Sequence, residues 1–167
     1  MPVTPALSRD DFLARFGGVY EASPWAAEAV YPAWARGELS GPGALRSAMR
    51  AVVDAAQREQ RLALIRAHPE LASRTQMADA SVREQSGAGL DQCSAEEFAS
   101  FQRLNAAYNV RFGHPFIVAV TGLTRSGILA AFETRLANSP EVEFETCMGE
   151  IHRIAGFRLA GLLGEPA

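Results

Sequence analysis

The stretch SAEEFASFQRLNAAYNVRFG, residues 94–113, decides the fold class. Ser94 and Glu97 form the S-x-x-E capping box that begins a helix, and Gly113 suits its C-terminal cap. Aromatic residues recur on one face of this stretch at helical spacing: Phe98, Phe101, Tyr108 and Phe112. The stretch therefore predicts a long amphipathic helix with one buried face.

The same helical period runs along most of the chain, from the segment that begins SRDDF at Ser8 to the segment that ends GLL at Leu163. One exception is HPFIVAVTGLT, residues 114–124, which is apolar, β-branched and short. It is either a buried extended segment or the start of another helix, and it cannot form a sheet by itself. The pattern predicts an all-α, single compact domain over residues 1–167, with seven to nine helices.

Composition excludes several function classes. The 167 residues are 48% hydrophobic and carry a net charge of −3, with no basic patch of the kind that nucleic-acid binding requires. No apolar run approaches the ~20 residues that span a bilayer. We also expect no secretory leader and no peroxisomal address, so the predicted location is cytoplasmic, with no membrane partner.

Metal binding is not predicted. Cys93 and Cys147 are isolated thiols, and His68, His114 and His152 lack the short spacing of a zinc-ligand set. The sequence also has no phosphate-binding glycine loop and no G-x-S-x-G nucleophile elbow.

His68 breaks an apolar pattern at the end of a helix, in the stretch RAHPELA, residues 66–72. It follows Leu64 and Ile65 by four and three residues, so it shares their face and should point inward. Pro69 then turns the chain away from the helix. His68 is a hydrogen-bonded core histidine, a cap that interacts with the negative end of the helix, or an acid–base group that titrates near neutral pH.

A second polar group lies in SVREQSGAGL, residues 81–90. On a helix, Ser81, Glu84 and Gln85 would share one face because of their i, i+3, i+4 spacing. One interpretation is a capping box alone. The other is a functional face, since the glycines that follow suit a sharp turn or a close approach to a ligand.

Arg158 occupies a position where the last helix should carry a hydrophobic residue. It lies four residues after Ile154 and four before Leu162, within an apolar stripe. It could extend to the surface, form a structural salt bridge, or bind a carboxylate with two hydrogen bonds.

Four segments resemble the motifs of one protein family in both their amino-acid sequence and their order along the chain. RAHPELA, SVREQSGAGLD, YNVRFGHPFIVAVTG and EIHRIAGFRL are similar to the corresponding motifs of the 2-oxo-4-hydroxy-4-carboxy-5-ureidoimidazoline (OHCU) decarboxylases of urate breakdown. The resemblance extends from about Phe12 to Leu163. It implies an all-helical homodimer that converts OHCU to (S)-allantoin without a metal or an organic cofactor.

The resemblance also implies a role for each matched residue. His68 and Glu84 take the places of the catalytic histidine and glutamate. The remaining matched residues correspond to substrate-binding positions: Pro69, Ser81, Gln85, Phe116, Ile117 and Arg158. At Phe116 and Ile117 the main chain, rather than the side chain, is expected to contact the substrate ring. Functional coupling to the upstream hydroxyisourate hydrolase is a further expectation.

Two alternatives remain open from the residues themselves. The chain could be a non-catalytic helical module that binds a purine-like or ureido ligand. It could also be an unrelated metal-free lyase or hydrolase that uses His68 and Glu84.

Overall fold

The protein is all-helical, which confirms the predicted fold class. The computed structural model describes residues 7–41, 43–73, 77 and 79–166. Within these residues the chain forms eight α-helices and one short 3-10 helix, in agreement with the predicted seven to nine, and no strand.

The structure divides into two compact units. One consists of Met1–Leu64 with His152–Ala167, and the other of Ile65–Ile151. The single domain expected over residues 1–167 stays a prediction.

The first unit contains three complete helices, of which α2 packs against both α1 and α3. Their bounds are α1 Arg9–Phe16, α2 Trp25–Ala35 and α3 Ala44–Asp54. The Phe12 ring lies 4.9 Å from the rings of both Phe16 and Trp34, measured between centroids. Through the second contact the fully buried Phe12 packs α1 against α2.

The second unit contains three complete α-helices and the 3-10 helix, and α7 packs against α6. Their bounds are α5 Asp79–Gly87, the 3-10 helix Leu90–Gln92, α6 Ala95–Phe112 and α7 Arg125–Arg135. Two further helices, α4 Arg58–Ala67 and α8 Pro140–Leu163, have residues in both units.

Helix α6 begins and ends as its sequence predicts. The Ser94 hydroxyl accepts from the Glu97 N–H and the Glu97 carboxylate accepts from the Ser94 N–H, so the capping box is complete. Gly113 ends the helix in the left-handed conformation, with φ of +74°. Phe101 and Tyr108 on its inner face are fully buried.

The core of the second unit contains a cluster of three buried rings, one of them on α6. The rings of Phe116 and Phe132 stack with centroids 3.8 Å apart, and the Tyr108 ring meets both of them edge-on. Such aromatic contacts stabilise a core beyond the burial of their area. None of the helices in the described residues is long and apolar enough to cross a membrane.

Candidate active site

His68 lies where the sequence predicts it, directly after the last residue of α4. The backbone N–H of His68 donates to the Ile65 carbonyl at 3.2 Å, and the residue is only 8% exposed. Leu64 and Ile65 are fully buried on the same face. The inward direction of the histidine is therefore confirmed, and Pro69 continues the chain into a turn at 70–72.

The capping-box interpretation of Ser81 is wrong. Helix α5 begins at Asp79, so Ser81 lies inside the helix and cannot be its N-terminal cap. Ser81 and Gln85 are buried and Glu84 is half-buried. The glycines after this face end the helix, since Gly87 is its last residue and Gly89 has φ of +79°.

Gln85 joins α5 to the turn that follows His68. Its Oε1 accepts from the Ala72 N–H at 3.0 Å, and its Nε2 donates to the Glu70 carbonyl at 3.4 Å. Ala72 has φ of +54°, which is uncommon for a residue other than glycine. The helix that carries Ser81 and Glu84 is thus hydrogen-bonded to the segment that carries His68.

The segment after Pro115 is buried and forms neither helix nor strand over 115–120, so it is not the start of another helix. Phe116 and Ile117 are 1% and 2% exposed, and no helix forms before Arg125. The Ile117 carbonyl accepts from Arg135, and the Ala119 N–H donates to Glu150 at 2.9 Å. Charged side chains therefore hold the main chain of this segment in place.

Arg135 belongs to a buried polar network that the sequence did not reveal. Its guanidinium pairs with Glu143, which is fully buried, and lies 4.2 Å from the centroid of the Phe116 ring. Glu143 also accepts from the Tyr108 hydroxyl and, at 3.0 Å, from Asn138.

The charges of this network follow from burial and pairing. Burial lowers the pKa of Arg135, but its hydrogen bond to Glu143 and electrostatic interactions with Cys147, Glu143 and Tyr108 together raise that pKa above its usual value. Burial raises the pKa of the Tyr108 phenol and of the Cys147 thiol, which lies 3.3 Å from both Tyr108 and Arg135. Arg135 therefore stays charged, and Tyr108 is a neutral hydrogen-bond donor.

Arg158 lies in the first unit and has an acidic neighbour there. Its Nη1 is 2.8 Å from Glu21 Oε2 and 3.3 Å from the Gly18 carbonyl. The two side chains are 10% and 8% exposed. The pairing matches the salt-bridge interpretation and leaves substrate binding as a prediction. Leu162, expected in the same apolar stripe, is 39% exposed, so that part of the stripe is wrong.

The other histidines and the cysteines form no recognisable metal site. His114 Nδ1 lies 3.0 Å from the Pro115 carbonyl, and His152 lies 2.8 Å from both the Tyr20 hydroxyl and Asp54. Burial lowers the pKa of His152, against the opposing effect of Asp54. Across the described part of the chain, no three His, Cys, Asp or Glu side chains are grouped as metal ligands would be.

Comparison with known proteins gives consistent matches. The family model described as OHCU decarboxylase matches residues 5–160. The 2-oxo-4-hydroxy-4-carboxy-5-ureidoimidazoline decarboxylase of Haloferax volcanii is 46% identical, over 92% of this chain and 90% of its own length. A crystal structure of (S)-allantoin synthase is 31% identical with a TM-score of 0.76, covering 93% of this chain and 51% of that chain.

A further relative is a longer protein. The uric acid degradation bifunctional protein PucL of Bacillus subtilis is 42% identical over 89% of this chain, but the match covers only 30% of its own length. Similarity of this extent over nearly the whole sequence shows the family, and the chain is a member of the OHCU decarboxylases.

Proposed function

We propose that this protein decarboxylates OHCU to (S)-allantoin with an acid–base site built on His68 and Glu84. Family membership makes it a carboxy-lyase of urate degradation. The observation that supports the site is the pair of Gln85 hydrogen bonds that join α5 to the turn after His68. These bonds join Gln85 to residues that lie 13 and 15 positions earlier in the chain.

The substrate provides its own electron sink. When CO2 leaves the ring carbon, the electron pair of the broken bond forms a C=C bond to the neighbouring ring carbon. The electrons of the adjacent C=N bond move onto nitrogen, which is protonated. The resulting enol loses its hydroxyl proton and gains a proton at the ureido-bearing carbon. A protein that delivers this proton to one face gives a single enantiomer.

His68 and Glu84 are proposed to move protons in these steps. A buried imidazole at a helix end can donate or accept a proton near neutral pH. Glu84 lies in α5, the helix tied to the turn after His68, and its carboxylate can hold or polarise the acid–base partner.

The remaining substrate contacts are proposed from the family resemblance and, at Gln85 and Ile117, from oxygens that can accept a second hydrogen bond. Gln85 Oε1 keeps one lone pair after accepting from Ala72, so it can accept an N–H of the ureido group. The Ile117 carbonyl likewise keeps a lone pair beside Arg135. The Ser81 hydroxyl and the main chain at Pro69 and Phe116 complete the proposed set.

Arg158 is proposed to bind negative charge on the substrate. Arg158→Lys keeps the charge and can keep the pairing with Glu21, but it loses the planar fork that binds a carboxylate with two hydrogen bonds. A hydrogen bond to a charged group contributes about 1.5–3 kcal/mol, so kcat/KM should fall roughly 10- to 100-fold.

The melting temperature separates this role from a structural one. We expect Arg158→Lys to melt within a few degrees of the wild type. Arg153→Lys, an exposed change on the same helix, is the matched control and should keep normal kinetics. A folded and fully active Arg158→Lys protein would refute substrate binding by Arg158.

Oligomeric state, cellular location and coupling to another enzyme are also proposed. The family resemblance supports a homodimer. Free thiols at Cys93 and Cys147 suit the cytoplasm. Functional coupling to hydroxyisourate hydrolase is proposed because a relative carries this domain within a bifunctional protein of uric acid degradation.

The proposed reaction is tested by supplying freshly prepared OHCU to protein dialysed against EDTA. Carbon dioxide should be released faster than in the spontaneous decay, and the rate should equal that of undialysed protein. Metal analysis should find well under one equivalent per chain. Activity that is lost to the chelator and restored by zinc would contradict a cofactor-free mechanism.

A further inference from the structure

Three amide side chains hold the turn Glu70–Ala72, which begins two residues after His68. Gln85 from α5 bonds the Glu70 carbonyl and the Ala72 N–H. From α6, Asn105 Nδ2 donates to the Leu71 carbonyl at 3.0 Å, and Asn109 Nδ2 donates to the Glu70 carboxylate at 2.6 Å. All three residues of the turn are therefore hydrogen-bonded to a neighbouring helix.

Asn105 is the most buried of these amides, at 2% exposed. Its Oδ1 is also buried and accepts no hydrogen bond from the described residues. An unpaired buried acceptor costs about 1–3 kcal/mol, and a leucine of similar shape would avoid that cost. The contact that explains why an asparagine stands here is the hydrogen bond from its side-chain Nδ2 to the Leu71 carbonyl.

The position of Leu71 links this contact to the imidazole. Leu71 lies three residues after His68, and Pro69 between them restricts the backbone, so a displaced turn has few ways to relax without moving His68. A displacement of 1 Å at a catalytic group can cost about 10²-fold in rate.

We propose that Asn105 is a positioning residue for His68, and that Asn109 assists it through Glu70. The inference rests on the proposed catalytic role of His68. Neither asparagine needs to touch the substrate, because each acts through the turn.

The test is Asn105→Leu, with Gln102→Leu as the control that replaces an exposed amide on the same helix. In Asn105→Leu, kcat should fall at least ~10-fold while KM stays within about twofold, because no substrate contact is removed. Its melting temperature should stay close to that of the wild type, since the loss of one hydrogen bond is offset by removal of the unpaired oxygen. Gln102→Leu should match the wild type in all three measurements.

The NMR signals of the His68 ring provide a readout that does not depend on catalysis. They should shift in Asn105→Leu and stay unchanged in Gln102→Leu. If His68→Ala is fully active, the catalytic role of His68 fails, yet this shift still reports whether Asn105 sets the ring position. Unchanged ring signals together with an unchanged kcat in folded Asn105→Leu would overturn the proposal.

If Asn105→Leu does not fold, a second pair of variants tests whether the turn controls the position of His68. Glu70→Gln keeps an acceptor for Asn109, whereas Glu70→Leu removes it. We expect Glu70→Leu to lower kcat and Glu70→Gln to restore most of it. Equal and normal kcat in both variants would contradict control of His68 through the turn.

Discussion

Replacing His68 with alanine should lower kcat/KM for OHCU at least ~10²-fold, the usual scale for an acid–base group. Glu84→Ala should cause a loss of similar size. The double variant should lose little more than the worse single variant, because residues that act as one unit have non-additive effects. The measurement is steady-state kinetics on the four proteins of this cycle.

Folding must be checked in the same proteins, because His68 is buried at a helix end. Thermal melting should show each variant folded at the assay temperature. Glu133→Ala, an exposed change on α7, should behave as the wild type. If the losses of His68→Ala and Glu84→Ala multiply fully in the double variant, the two residues do not work as a unit.

Glu143→Ala should cause a large loss of stability. The carboxylate is fully buried, and its removal leaves Arg135 buried without its counter-charge and Tyr108 and Asn138 without their acceptor. Breaking a buried ion pair costs about 3–5 kcal/mol, a large share of the ~5–15 kcal/mol that stabilises a typical protein. The measurement is urea unfolding, and Glu133→Ala should change the free energy of unfolding by less than ~0.5 kcal/mol.

A paired replacement separates charge burial from positioning. Arg135→Met with Glu143→Leu removes both charges and should be more stable than Glu143→Ala. Catalysis should be impaired in this double variant, because the Ile117 carbonyl has lost the Arg135 donor. A double variant with normal kinetics would show that Arg135 does not position the buried segment around Ile117. A Glu143→Ala protein of wild-type stability would contradict the buried ion pair itself.

Local sequence signals predicted the helices well. The capping box at Ser94 and the glycine at Gly113 mark the ends of α6 because caps depend on residues within one turn of the helix. The inward direction of His68 likewise follows from its spacing to Leu64 and Ile65 on one helix.

Long-range partners could not be predicted from the same signals. Tyr108 and Glu143 meet across 35 residues, and Arg158 and Glu21 across 137, so no periodic pattern contains them.

Some of the polar residues in such contacts could have been found in the sequence. Asn105 lies four residues after Phe101, and Glu143 four before Cys147, so each stands on a buried face. Arg158 was singled out because a polar residue occupies a position where the helix should carry a hydrophobic one, and the same criterion selects Asn105 and Glu143.

Ser81 shows how a sequence motif can be assigned the wrong place in a helix. The S-x-x-E pattern is the same in a helix start and in a helix interior, and only the position of Asp79 at the start of α5 distinguishes them. Ser81 and Gln85 are both buried on that helix, and a functional face there stays a prediction.

The handedness of the product tests the central claim most directly. Spontaneous decay of OHCU gives racemic allantoin, whereas protonation directed by His68 and Glu84 should give the (S) enantiomer. Circular dichroism of the allantoin formed from fresh OHCU should show the (S) form with the wild type and a racemate with His68→Ala. A racemic product from the wild-type protein would contradict the proposed site.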